Sequence, residues 1–227
     1  MKNKKNTQIN TDYQKLVNQF ADFIELRFGV YLDTVWGFQL NMKEFNLVRQ
    51  QSMQIVQLTS EELDKKPLIR GDGPPSSDLE KCGRREIHRM PQGVFKNNNS
   101  PGGTNYDFAI ENCLSDIFNF WNSVKKELGF AEVDDVEILP VTAYMRELRN
   151  RVQHDLYGNR IVTPDKGPIS IGATITSYPF PSFDIGKPIQ LSQKDIEAII
   201  FEVRAQFRAY LIPYINKVLQ NQTLAKT

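Results

Sequence analysis

Arg146, Arg149, Asn150, Arg151 and His154 fall within nine consecutive positions, and together they could move a proton beside a bound phosphate. An imidazole titrates near neutrality and can serve as a general base, a guanidinium pairs with phosphate oxygens, and an amide can orient the ring. The segment carrying them runs from Pro140 to Gly158. It predicts a helix opened by proline, whose missing N–H costs nothing in the first turn, and closed by glycine. On that helix Val141, Tyr144, Met145, Leu148, Val152 and Leu156 form one apolar face, while Arg146, Asn150 and His154 recur every fourth residue on the other side. His154 is thereby expected to face solvent rather than the core. Asn150 and His154 are an i, i+4 pair, so the amide can fix the tautomer of the ring. Arg149 precedes His154 by five positions and diverges from it by roughly 140° on a regular helix. The two would meet if the long Arg149 side chain wraps around, if the helix is irregular, or if a second copy of the helix supplies one of them, and the third route predicts a twofold homodimer.

Helices must position this stretch, and the spacing of apolar residues predicts them. Tyr13, Leu16, Val17, Phe20, Phe23, Ile24 and Phe28 recur at helical steps, giving a first helix over Asp12 to Phe28. A second is expected from about Leu32 to Leu58, with Val35, Phe38, Met42, Phe45, Val48 and Ile55 as its apolar positions and a bend at Gly37. A third covers Tyr106 to Leu128, with Ile110, Leu114, Ile117, Phe118, Trp121, Val124 and Leu128 in one stripe and Gly129 as its stop. The last starts at the N-cap Ser192 and carries Ile196, Ile199, Ile200, Val203, Phe207, Leu211 and Tyr214, with Pro213 bending its final turn. The fold class expected is mainly α: an antiparallel helical bundle of about five helices with a long insertion and a short β-hairpin appendage. The bundle is read as a single domain over 12–221, between a disordered N-terminal tail at 1–11 and a C-terminal tail at 222–227. The insertion is residues 60–104, and a β excursion falls at 159–189, where Ile169, Ile171, Ala173 and Ile175 alternate.

Within the insertion, Gly71 to Ser77 and Asn97 to Gly103 are dense in turn residues. Between them Arg84, Arg85, His88 and Arg89 concentrate positive charge. This is either a solvated basic stretch or an RNA-phosphate patch.

Composition narrows the function classes. The chain has 227 residues and a formal net charge of +1, so no global field draws it to nucleic acid or to an anionic membrane, and any such binding rests on a local patch. Cys82 and Cys113 are its two cysteines and are expected to be reduced and buried in a cytoplasmic protein. No run of about 18 apolar residues occurs, so no membrane partner is expected. Neither of the two histidines, His88 and His154, has ligand-spaced neighbours, so no metal or other cofactor is expected.

The Arg149-Asn150-Arg151-Val152-Gln153-His154 stretch on a helical bundle resembles the motif of the HEPN superfamily, an arginine, usually a polar residue next, and a histidine after four to six intervening positions. The resemblance implies a metal-independent endoribonuclease, often a toxin, an antiphage effector or an RNA-processing component. Partners would be RNA, a second copy, and an antitoxin or other regulatory protein. Some members are catalytically inactive modules that bind RNA or a protein, and this is the alternative reading here. By the chemistry of the residues, His154 would take the proton of the ribose 2′-hydroxyl and Arg149 would hold the phosphate, with Asn150 orienting the ring. Arg146 and Arg151 would add phosphate contacts, as would Arg84, Arg85 and Arg89. One branch of the superfamily places a tyrosine two residues after the histidine. Here Asp155 and Leu156 intervene before Tyr157, so control of that tyrosine by a nucleotidyltransferase is not expected.

Overall fold

The computed structural model describes residues 2–70, 88–153, 169–172, 174–187 and 189–224. It is mainly α-helical with one short antiparallel sheet. Helix α1 spans Lys2–Val56 and α2 Ser60–Lys65; strands β1 (Pro67–Arg70) and β2 (His88–Pro91) follow, then α3 (Gln92–Asn99) and α4 (Thr104–Glu127). The chain continues through α5 (Asp135–Ile138), α6 (Pro140–Gln153), α7 (Gln193–Gln206), a π-helical turn at Phe207–Leu211 and α8 (Ile212–Leu224). No helix among the described residues is long and apolar enough to cross a membrane.

Two compact units divide the chain, one of residues 1–33 with 107–227 and the other of residues 34–106. The core of the first is built from the stripes that spacing predicts. All seven apolar positions of the α4 stripe are buried, as are Val141, Tyr144, Met145 and Leu148 of α6 and Ile196, Ile199, Ile200 and Val203 of α7. Phe20 of α1 anchors them, with ring centroids 5.3 Å from Trp121 and 6.0 Å from Phe207. Gly129 closes α4 at φ +77°, a left-handed conformation that a side chain would resist, and the Phe130 N–H returns to the Lys125 carbonyl. Ser192 caps α7 in a reciprocal capping box with Asp195. Pro213 cannot donate to the turn before it. The π turn at 207–211 absorbs this locally, with the Ile212 N–H bonding the Phe207 carbonyl, and the helix resumes.

In the second unit, Phe45 of α1 packs edge-on against Phe95 of α3 at 4.8 Å, and Phe38 meets Tyr106 at 5.4 Å. The buried Arg49 donates to the Ser60 carbonyl and hydroxyl and to Gln92 Oε1, and its guanidinium pairs with Asp64 at 2.7 Å.

Two expectations change here. The first and second predicted helices are one continuous helix that starts ahead of Asp12 and runs through Gly29 and Gly37. Two apolar positions of the second predicted helix, Val48 and Ile55, are 55% and 81% exposed. The regular strands are Pro67–Arg70 and His88–Pro91, inside the 60–104 insertion, whereas the described part of 159–189 contains one isolated bridge, Ile169 with Phe183. A reason for the last difference lies in Glu202, which occupies the Ile175 and Thr176 N–H groups that a ladder would need.

Candidate functional site

Helix α6 presents Arg146, Arg149 and Asn150 among its described side chains, all half-buried. Its position is set at both the first turn and the middle. The Val141 N–H, one of the donors a helix start leaves without an intrahelical partner, bonds Gln206 Oε1 at 2.8 Å. Tyr144, buried, donates its hydroxyl to the Pro181 carbonyl at 2.9 Å, and burial pushes the phenol well above its ordinary range.

Arg146 meets a buried carboxylate. Asp135, in the first turn of α5 and 2% exposed, accepts from Arg146 Nη1 at 3.1 Å, from Lys125 Nζ at 3.0 Å and from the Trp121 indole N–H at 3.0 Å. A buried carboxylate is tolerated when cations and donors surround it, and here two cations and an indole do so. The Arg146 guanidinium is therefore occupied in holding α6 to α5, although its side chain stays 38% exposed. Arg149 falls at the flank of the buried face, where its guanidinium lies 5.4 Å above the Phe118 ring of α4. Asn150 shares the side of the helix that carries Arg146, four residues on. The described residues thus bring Arg146 to Asp135 and Arg149 to Phe118. His154, Arg84 and Arg85 lie outside the described residues, as do the side chains of Arg151 and Arg89.

A second polar group underlies α6 and spacing alone did not single it out. Glu202 is fully buried and accepts from the Ile175 and Thr176 N–H groups at 2.7 and 2.8 Å and from Gln206 Nε2 at 2.7 Å. Burial alone would raise its pKa. The donors from Thr176, Ile175 and Gln206 outweigh burial, and the carboxyl titrates below its ordinary 4.5. Asp135, Lys125, Glu202 and Gln206 share one signal in the sequence: each is a polar residue in or beside an apolar stripe, which demands a partner.

The linkage sign follows from that lowered value. Glu202 stays ionised in the folded chain at pH values where the unfolded chain has begun to bind a proton. Its contribution is present above pH 4.5 and is lost as pH falls below it. Glu202→Gln places an amide NH2 against backbone donors, so it is expected to lower stability by about 1–3 kcal/mol at neutral pH. Urea unfolding at pH 7, 5 and 3 should show a shallower acid limb in the variant. An identical pH dependence in both proteins would contradict this role.

Cys113 is buried without a disulfide, and burial pushes its thiol up to about 12, so it packs as an unreactive side chain. Cys82 lies outside the described residues. Compared with protein-family profiles, curated proteins and solved structures, the chain matches none of them.

Proposed function

We propose that this chain is a metal-independent endoribonuclease of HEPN type in which Arg149, Asn150 and His154 form the reacting site. The observation that supports the reading is the setting of Arg149 and Asn150. They are half-buried on a helix pinned by Asp135 below and Gln206 at its start, so their side chains project from a fixed backbone. The Phe118 ring under Arg149 orients the guanidinium plane.

RNA carries its own nucleophile, so a base and a cation suffice. His154 takes the proton of the ribose 2′-hydroxyl, the 2′-oxygen bonds to phosphorus, and the bond from phosphorus to the 5′-oxygen breaks as that oxygen takes a proton from water, with the imidazolium returning its proton to solvent. The products are a 2′,3′-cyclic phosphate and a 5′-hydroxyl. Arg149 stabilises charge that builds on the non-bridging oxygens, and Asn150 orients the imidazole. Arg146 acts as a positioning residue through Asp135. Arg151, Arg84, Arg85 and Arg89 supply phosphate contacts along the RNA. The active unit is a homodimer in the cytoplasm, with Arg149 of one copy beside His154 of the other, held in check by an antitoxin or other regulatory protein.

Cleavage of RNA by the purified protein is expected to persist in EDTA, to leave 2′,3′-cyclic phosphate ends, and to spare DNA, which lacks the 2′-hydroxyl. Cleavage of DNA or full dependence on magnesium would overturn the mechanism. The second reading, an inactive module that binds RNA or a protein partner, draws on the engagement of Arg146 with Asp135, a purely architectural use of one motif-side cation. RNA binding with no cleavage would favour it.

A further inference from the structure

In the first unit, helices α1 and α4 run antiparallel, since Phe23 stacks on Phe120 at 4.1 Å while Arg27 pairs with Asp116. Between them lies a cleft of about 390 Å³, within the roughly 300–1,000 Å³ typical of small-molecule sites. Its apolar walls are Leu16, Phe23 and Leu26 on α1 and Phe120 and Val124 on α4. Phe23 and Phe120 are half-buried, and Leu26 is 61% exposed. A hydrocarbon body seated here would cover apolar surface that the fold leaves to water.

Charge chooses the occupant. Gln19 and Ser123 complete the lining with two exposed carboxylates, Asp22 and Glu127, and neither carboxylate has an ion pair among the described residues. Glu127 is level with Leu16, because each stands seven positions from the contact of Phe23 with Phe120. Lys15 stands beside that level and offsets Glu127, whereas Lys126 points about 100° away from it round α4. No such cation stands near Asp22. Residues 18–26 of α1 contain neither lysine nor arginine, and residues 117–124 of α4 contain no charged residue. The next cation on α1, Arg27, is taken up by Asp116, and the neighbouring Glu25 by Arg204. Asp22 is thus an uncompensated anion at the edge of an apolar cleft.

We propose that this cleft binds an organic cation, an amine carried on a short arm from an aromatic ring. The ring lies against Phe23, Phe120 and Val124, and the ammonium group meets Asp22. Contacts between rings add to the area buried, which favours an aromatic body over an aliphatic one. An anionic ligand would face two carboxylates with no cation in the lining, and a neutral one would leave Asp22 unanswered. No residue of the proposed reacting site lines the cleft, so the proposal does not depend on the ribonuclease reading and its test uses no cleavage.

Tryptamine, tryptophol and indole-3-propionate share one ring and differ in the charge of the arm. Each is titrated into the full chain at pH 7, with backbone amide NMR shifts as the readout. Tryptamine is expected to bind saturably with a Kd on the order of 1 mM and to shift the amides of residues 16–26 and 120–127. It should bind about five-fold tighter than tryptophol, the size of one exposed ion pair, and indole-3-propionate should bind more weakly than either. Asp22→Asn should bring tryptamine to the affinity of tryptophol and leave tryptophol unchanged. Gln19→Trp and Ser123→Trp, which fill the cleft from opposite walls at exposed positions, should each abolish binding of both ligands while the helical circular dichroism stays intact.

Absence of saturable tryptamine binding overturns the proposal, as do equal affinities for the three ligands or shifts that fall outside the two helices. A preference for tryptamine that survives Asp22→Asn also overturns it, as does binding that persists in a folded Trp variant.

Discussion

Asp135→Ala is expected to destabilise the protein by about 3–5 kcal/mol, the cost of removing one partner from a buried ion pair. The reason is asymmetric. Arg146, 38% exposed, can turn its guanidinium to water, but Lys125, at 10%, is left as a buried cation beside an indole N–H with no acceptor. Removing that cation as well should restore part of the loss, so Asp135→Ala with Lys125→Met is expected to be more stable than Asp135→Ala alone. Urea midpoints of the single and double variants measure both effects. A single variant within about 1 kcal/mol of the parent, inside the range of ordinary surface changes, would mean that the Asp135 cluster does not hold α5, α6 and α4 together.

Helical elements were the most legible part of the molecule. The α4 stripe could be read because seven apolar residues at one period leave no other face to bury, and every one of them is buried. In α1 the periodicity identifies the helix but not which of its apolar positions are covered, and solvent reaches Val48 and Ile55. Gly37, where the sequence predicts a bend, lies in unbroken helix, as does Gly29, because glycine costs only about 1 kcal/mol there and no proline stands between Asp12 and Val56 to enforce a stop. The real end is at Gln57, which adopts φ +56° without a glycine to announce it.

Tertiary partners account for what remained hidden near the site. Arg146 was read as an outward phosphate contact from helical phase alone. Its engagement depends on Asp135, in a four-residue helix too short to leave a periodic signal. On an ideal helix Arg149 lies about 60° from Arg146, and its guanidinium stands over the Phe118 ring. The β excursion was read from alternation, a pattern that cannot reveal that Glu202, some 27 residues later, takes the backbone donors. The role of His154 rests on its sequence position, which makes it the decisive residue to test.

His154→Ala is expected to reduce RNA cleavage about 10²–10⁴-fold, the range a positioned general base supplies. Arg149→Ala should cost about 10²–10³-fold, as for loss of one preorganised group at developing charge. The His154 effect separates chemistry from folding, because the sequence expects His154 on a solvated face, where truncation changes stability by no more than about 0.5 kcal/mol. The most direct measurement is therefore the cleavage rate of a labelled RNA in EDTA by the parent protein and by His154→Ala, each with its urea unfolding curve. The account predicts cleavage by the parent, an unfolding midpoint unchanged in the variant, and a rate lower by at least 10²-fold. A folded His154→Ala protein that cleaves at the parent rate, or a folded parent that cleaves no RNA, would contradict it.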